Sequence, residues 1–199
     1  MKEREDDQKR WENDREQIEK SLHQLTDKQV DNIIFDSEVN KWNQNDSEFD
    51  SILNGKRNVC IVIEDERHNL FGGFIGNTIT IHHKIIDNSC FVFSLKKDGQ
   101  INPRKFNKKE NGYSYSICSD RHNILMGLGL KGDSFQDLSI FKKDYSCSGR
   151  CIQYAFDYGN EEYALCGKIY FNIISNVSSK QIVTFIFNHN TNIFLSFQN

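Results

Sequence analysis

From residue 30 onward, short apolar runs alternate with clusters of polar turn residues. The run Tyr113–Ile117 alternates strictly between apolar and polar side chains, which is typical of a strand with one buried and one solvent-facing side. A polar residue followed by glycine beside such a run favours a tight hairpin turn. The three pairs of this kind are Asn54-Gly55, Asp98-Gly99 and Asn111-Gly112. Many short strands separated in this way predict an antiparallel sandwich or barrel.

The apolar runs predict a mainly β chain with a few short helices, an α+β protein whose core is a two-sheet antiparallel β-sandwich. The stretch Cys90–Cys118 is predicted to hold consecutive strands joined by tight turns, with Pro103 near a strand edge. Thr26–Val39 and Asn43–Leu53 are predicted to hold short helices. The predicted strands are Asn32–Phe35, Val59–Ile63, Leu70–Ile75, Thr78–Ile81, Cys90–Leu95, Tyr113–Cys118, Ile124–Leu130, Leu138–Phe141, Cys151–Phe156, Ile169–Ile174, Ile182–Phe187 and Ile193–Phe197.

The first 20 residues carry six basic and eight acidic side chains with the signs interspersed. This pattern is typical of a solvated helix with ion pairs between successive turns. Trp11, Ile18 and Leu25 are spaced by seven residues, but Arg15 interrupts the seam that a coiled coil would need. We therefore expect the helix to dock on the following domain through Leu22 and Leu25. Self-association through this helix is the alternative.

Composition and charge exclude several classes of protein. The chain has 199 residues, a formal net charge of −3 and 37% hydrophobic residues. A near-neutral chain lacks the basic footprint of a nucleic-acid-binding protein. No apolar run approaches the roughly 20 residues of a membrane-spanning helix, and the charged N-terminus does not fit a signal peptide. We expect a cytoplasmic monomer that does not insert into membranes and does not bind nucleic acid.

The cysteines are predicted to be reduced thiols, because no secretion signal precedes them. Cys147 and Cys151 lie close to the positive charges of Arg150 and Lys142, which can lower the pKa of a thiol. They are the candidate reactive thiols, and the ordinary explanation of the same residues is a glycine-containing loop that enters a strand. The cysteines that lie in apolar runs and are predicted to belong to the core are Cys60, Cys90 and Cys118.

Other candidate chemistry is weaker. Gly127–Gly132 fits the dinucleotide pattern G-x-G-x-x-G, but that motif must open a helix, and here Asp133 and another strand follow. Close backbone packing in a sheet is the simpler explanation of these glycines. The six histidines are scattered, and no Cys/His set has the spacing of a zinc site. We predict no cofactor, no metal and no catalytic residue.

Several segments together resemble one family, the TLDc domain. Phe71-Gly72-Gly73-Phe74 resembles its F-G-G-Y/F signature, and Cys90–Leu95 resembles its F-L-F-S-L strand. Gly127–Gly129 resembles its glycine stretch, and Ser146–Cys151 resembles its loop of small residues with a cysteine. The resemblance covers roughly residues 25 to 175. The motif residues that transfer as determinants of the fold are Phe71, Gly72, Gly73, Phe93, Ser94, Gly127, Gly129 and Cys151.

The resemblance implies a β-sandwich and a non-catalytic module that binds a protein partner. The family is linked to protection against oxidative stress and, in several members, to binding of the V-type proton-pumping ATPase. A thiol-based antioxidant enzyme that uses Cys147 or Cys151 is the alternative function. An adaptor assembled through the N-terminal helix is a further, weaker alternative.

The resemblance ends near the C-terminus. Family members close with a strand of a different pattern, whereas residues 178–199 are rich in Phe, Ile and Asn. Either Ile182–Phe187 pairs as a substitute strand, or the gene model is wrong at this end. We therefore predict a charged helical segment over 1–24, a TLDc-like sandwich over 25–177 and a divergent tail over 178–199.

Overall fold

The computed structural model describes residues 15–43, 47–81, 85–110, 113–118, 124–130, 137–141, 149–167, 170–171 and 182–187. Helix α1 includes residues 15–26, and helix α2 is Phe49–Leu53. No helix in the described ranges is long and apolar enough to cross a membrane. The strands are β1 Val30–Asp36, β2 Val59–Glu64, β3 Leu70–Ile75, β4 Ile85–Ile86, β5 Phe91–Lys97, β6 Gln100–Asn107, β7 Tyr113–Cys118, β8 Ile124–Leu130, β9 Leu138–Phe141, β10 Gly149–Cys151, β11 Tyr170–Phe171 and β12 Ile182–Phe187.

The strands form two six-stranded antiparallel sheets, so the predicted sandwich is confirmed. The first sheet has the order β1-β12-β2-β3-β5-β6, and the second has the order β11-β10-β9-β8-β7-β4. One apolar core joins them, and it includes Ile61 and Phe71 from the first sheet and Met126, Leu128 and Ile140 from the second. The sandwich is therefore closed by apolar side chains from both inner faces.

The central strands of the first sheet are buried on both faces. Every residue of β2 and of β3 is buried, which is why these strands read as continuous apolar runs and not as alternating ones. On the outer face a second apolar cluster includes Cys60, Val62 and Phe93 together with α1. The helix is thus a third layer of the fold.

Helix α1 docks on the sandwich as its sequence predicted. Ile18, Leu22 and Leu25 are 2%, 0% and 9% exposed, and they recur at the spacing of one helix face. Arg15 pairs with Glu19 on the solvated side at 2.7 Å. Because the apolar stripe of α1 is covered by the first sheet, it is not available as a seam for self-association.

Strand β12, which comes from the divergent tail, lies in the interior of the first sheet. It pairs with β1 on one side and with β2 on the other. Both of its edges are therefore hydrogen-bonded, which removes the aggregation hazard of an exposed apolar strand. Residues 182–187 of the tail are therefore a structural strand.

The turn signals were only partly correct. Asp98 and Gly99 have φ values of 50° and 80° and join β5 to β6, so this pair forms the predicted hairpin turn. Asn54 instead caps the end of α2, and Gly55 follows it with φ at 77°. The pair at 111–112 lies outside the described residues.

Other predicted elements need correction. Thr78–Ile81 is not a strand, and β10 ends at Cys151, so most of the predicted strand Cys151–Phe156 is irregular. The helix predicted within Thr26–Val39 is wrong beyond residue 26, because β1 begins at Val30 and pairs with β12. Strands β6 and β7 belong to different sheets, so Cys90–Cys118 is not a row of hairpins. Ile193–Phe197 lies outside the described residues.

Candidate functional site

The two signature glycines allow close approaches on opposite faces of β3. A Cβ atom on Gly72 would overlap the backbone oxygen of Ile61 in the neighbouring strand. A Cβ atom on Gly73 would overlap the side chain of Leu128, which belongs to β8 in the second sheet. Gly72 thus sets the packing within the first sheet, and Gly73 sets the distance between the sheets.

The aromatic and serine residues of the motif lie beside these glycines. Phe71 pairs with Ser94, and Gly72 pairs with Phe93 across β3 and β5. Phe71 and Phe93 are fully buried, and Ser94 is 3% exposed. The structure therefore brings five motif residues together, inside the molecule.

The second glycine motif forms part of β8. Gly127 pairs with Ser139 of β9. Gly129 has a φ of 76°, and a Cβ atom there would lie 2.6 Å from Oδ1 of Asp137. The described part of the motif, residues 127–130, is thus strand, and residues 131–136 lie outside the described ranges.

Asp137 is the most highly connected polar group in this region, and no sequence motif marked it. Its carboxylate accepts backbone N–H groups from Tyr154, Ala155 and Phe156 at 2.8 to 3.2 Å. It also accepts the hydroxyl of Tyr158 at 3.2 Å. Burial raises the pKa of Asp137, and these hydrogen bonds oppose that rise. Asp137 fixes the loop 152–167 onto the second sheet.

Cys151 lies against a second thiol beneath this loop. Its Sγ is 3.4 Å from the Sγ of Cys166, and both are buried thiols that form no disulfide. Burial raises the pKa of Cys151 well above its usual value, and the contact with Cys166 raises it further. Such a thiol is mostly protonated and shielded, unlike the exposed, low-pKa thiols of redox enzymes. Cys147 lies outside the described residues.

The other cysteine predictions have mixed outcomes. Cys60 and Cys90 are 0% and 2% exposed and belong to the core, as predicted. Cys118 ends β7, but its side chain lies outside the described residues. Within the described ranges, no group of three or more Cys, His, Asp or Glu side chains could hold a metal ion.

Ion pairs anchor the same loop to the first sheet. Glu161 of the loop binds Arg104 of β6, and it binds Nζ of Lys97 in β5 at 3.0 Å. The hydrogen bond from Arg104 lowers the pKa of Glu161, although partial burial acts the other way. The loop 152–167 is thus held by one buried and one half-exposed carboxylate.

Positive charge is concentrated on the β5–β6 hairpin. Residues 91–109 hold six basic side chains and one acidic one, a net charge of +5, so the rest of the chain carries −8 within the total of −3. The near-neutral total conceals this asymmetry.

A cleft of about 500 Å³ opens between the end of α1 and this hairpin. We call it the lysine cleft, because Lys28, Lys105 and Lys108 line it together with Asn88 and Asn107. Its floor is formed by buried aromatic rings of the first sheet. Sequence reasoning missed the cleft, because its residues come from segments far apart in the chain.

A family model of the TLDc domain matches residues 12–193. The chain belongs to the TLDc domain family. The motif resemblance is thereby confirmed, and the match runs through β12, a segment for which the motifs showed no counterpart. A search of curated protein sequences finds no match to the chain.

Proposed function

We propose that this TLDc protein is a non-catalytic module that binds a protein partner and serves protection against oxidative stress. One observation carries the proposal: the described motif residues are buried in the sheets. Phe71 and Phe93 are fully buried, and Ser94 and Cys151 are 3% and 5% exposed. Residues that build a core do not contact a substrate, so recognition falls to the surface around them.

The proposal extends to the partner and the compartment. The V-type proton-pumping ATPase is the partner class that the family implies, and the cytoplasm is the compartment. The monomeric chain, immobilised and incubated with cytoplasmic lysate, should retain subunits of this ATPase. The matched control is the Gly72→Ala chain, whose fold we expect to be disrupted. Equal retention by both chains, or none by the wild type, would contradict binding to the pump.

A complementation experiment separates a non-catalytic role from a thiol enzyme. Deletion of the gene should sensitise cells to hydrogen peroxide, and the wild-type chain should restore survival. The variants Cys147→Ser and Cys151→Ala should restore it equally, because the proposed role needs neither thiol. Loss of rescue by a variant that is still folded, as judged by circular dichroism, would favour the thiol enzyme. Unchanged survival on deletion would contradict the protective role itself.

Thiol labelling provides a second check. Alkylation of native protein at neutral pH, followed by mass spectrometry, should modify Cys151 far more slowly than free cysteine, since its thiol is buried and its pKa is raised. Unfolded protein in urea is the control, in which the same thiol should react normally. Faster reaction of either Cys147 or Cys151 than of free cysteine would contradict the non-catalytic proposal.

A further inference from the structure

We infer that the lysine cleft binds an acidic, extended segment of a partner protein. The inference rests on the proposed function, because it names the chemistry of the partner that such a module would hold. The cleft is formed by the chain that follows α1, by the turn before β5, and by β5 and β6. Phe74, Cys90 and Phe91, which belong to family motif segments, are part of its lining, whereas its three lysines lie outside those segments.

The carboxylates of the described residues do not neutralise the cationic charge of the cleft by direct contact. Nζ of Lys105 donates to the backbone oxygen of Leu25 at 3.2 Å, and Nζ of Lys108 donates to Oδ1 of Asn88 at 2.9 Å. Both acceptors are uncharged. Within the described ranges, no carboxylate lies at ion-pair distance from these two lysines or from Lys28. Elsewhere on the hairpin, Lys97 and Arg104 share Glu161.

One of the three lysines is held in place before any ligand arrives. Besides its bond to Leu25, the ammonium of Lys105 lies 4.1 Å from the centre of the Phe91 ring. A side chain that is already oriented loses less conformational freedom on binding, which favours affinity. The cleft thus presents one cation that is fixed by two contacts, together with two further lysines.

The shape and the rim favour a peptide as the occupant. A volume of about 500 Å³ is in the range of sites that hold a ligand much larger than a single small anion. The backbone of Asn107 and Lys109 is already hydrogen-bonded to residues 155–157, so the segment binds through its side chains and not as an added strand. Asn88, Ser89 and Asn107 are exposed residues of its lining. Oδ1 of Asn88 accepts from Lys108 and the hydroxyl of Ser89 donates to Asp87, so the side-chain N–H groups of Asn88 and Asn107 are the donors offered to a peptide backbone. The ammonium groups then pair with the acidic side chains of the segment.

Fluorescence anisotropy with a labelled oligo-glutamate peptide tests this inference on the purified full chain. We expect saturable binding that weakens as salt is added, since salt screens exposed ion pairs. The double variant Lys28→Gln/Lys108→Gln should bind on the order of tenfold more weakly, the effect of losing two partly exposed pairs. Lys105 is left intact because it also supports α1.

The matched control is Lys20→Gln/Lys56→Gln, which removes the same charge at exposed positions outside the cleft. It should change affinity by less than about twofold, as expected for screened charges at a distance. If both variants weakened peptide binding equally, the cleft would not be the binding site, and the binding would depend only on the net charge of the protein. Absence of saturable binding would also overturn the inference.

A competition arm separates a peptide from a phosphate ligand. The control is sodium chloride at the same ionic strength as the inorganic phosphate solution. Phosphate should displace the peptide no more than this salt does. Displacement of the peptide by a low concentration of phosphate, together with loss of phosphate binding in the Lys28→Gln/Lys108→Gln variant, would overturn the peptide proposal. The cleft would then be a phosphate site. Because the assay contains no cellular partner, its failure leaves the peroxide and pull-down tests of the proposed function unaffected.

Discussion

Different forces hold the first sheet and the loop 152–167. In the sheet, β2, β3 and β12 are buried on both faces by apolar side chains, with α1 as the outer layer. The loop is held by two carboxylates: Asp137, just before β9, accepts backbone N–H groups of the loop, and Glu161 of the loop binds cations of the first sheet. The sheet should therefore respond to changes of volume, and the loop to changes of charge and pH.

Gly72→Ala is the largest expected effect on the sheet. Its new Cβ would meet backbone of β2, which cannot move aside as a side chain can, so we expect a loss of about 3 kcal/mol or outright unfolding. Urea denaturation measures this loss. Gly73→Ala meets the side chain of Leu128 instead. Its cost should therefore shrink in a Leu128→Ala background, while the cost of Gly72→Ala should not. Equal behaviour of the two glycines would refute this distinction.

Leu22→Ala tests whether α1 is a structural layer of the same sheet. Leu22 is fully buried, and truncation of such a side chain leaves a cavity that costs about 3 kcal/mol. Thermal unfolding followed by circular dichroism gives the value. Gln24→Ala, an exposed position on the same helix, is the control and should be nearly neutral. A neutral Leu22→Ala would show that the helix does not stabilise the sandwich.

Asp137→Asn is the largest expected effect on the loop. The asparagine side chain has only one oxygen to accept hydrogen bonds from the three backbone N–H groups, and its NH₂ group would face N–H groups that it cannot bond. We therefore expect the free energy of unfolding to fall by about 2 kcal/mol. Glu162→Gln, on an exposed residue of the same loop, is the control. If Asp137 did not hold the loop, Asp137→Asn and Glu162→Gln would lower the free energy of unfolding by the same amount.

The pH dependence of that loss has a definite sign. Because burial raises the pKa of Asp137, the folded protein holds this proton more tightly than the unfolded chain does. Its contribution to stability is then full below the unfolded pKa of about 4 and declines as pH rises through the raised value. The stability difference between wild type and Asp137→Asn should shrink from acid to neutral pH. A stability difference that increases from acid to neutral pH would contradict a raised pKa of Asp137.

Thr184→Val is expected to stabilise the sheet by about 1 kcal/mol. Thr184 is fully buried in β12, and within the described ranges its hydroxyl has no hydrogen-bond partner. Replacing the hydroxyl by a methyl group removes that cost at nearly constant shape. A shift of the urea midpoint to higher concentration checks it. A lower midpoint would show that the hydroxyl is satisfied in solution.

Glu161→Gln is the smallest expected effect, a loss below about 1 kcal/mol, because its ion pairs are partly exposed. The pKa of Glu161 is lowered, chiefly by the hydrogen bond from Arg104. Its contribution is therefore present above the unfolded pKa and is lost as pH falls through the lowered folded value. The difference between variant and wild type should vanish in acid and in high salt. A difference that persists in acid would exclude the ion pairs as its cause.

Local patterns were sufficient wherever one residue type solves one local problem. Asp98-Gly99 forms its turn because both positions take positive φ. Val59–Glu64 is a strand because an apolar run of that length must be buried on both sides. Leu22 and Leu25 dock because they share one helix face.

Local patterns failed wherever a distant segment decided the outcome. The chain after residue 26 became β1 because β12, about 150 residues later, supplied a partner. Thr78–Ile81 has strand-like composition but pairs with no strand. Asp137 gave no signal, since its donors come from residues 154–158.

The sequence alone determined the β-sandwich class, the membership in the TLDc family, the docking face of α1 and most strands, because periodicity and turn chemistry are local properties. Only the tertiary structure decided the place of β12, the burial of Cys151 against Cys166 and the gathering of Lys28, Lys105 and Lys108 in one cleft. Each of these depends on contacts between residues far apart in the chain, which no local pattern records.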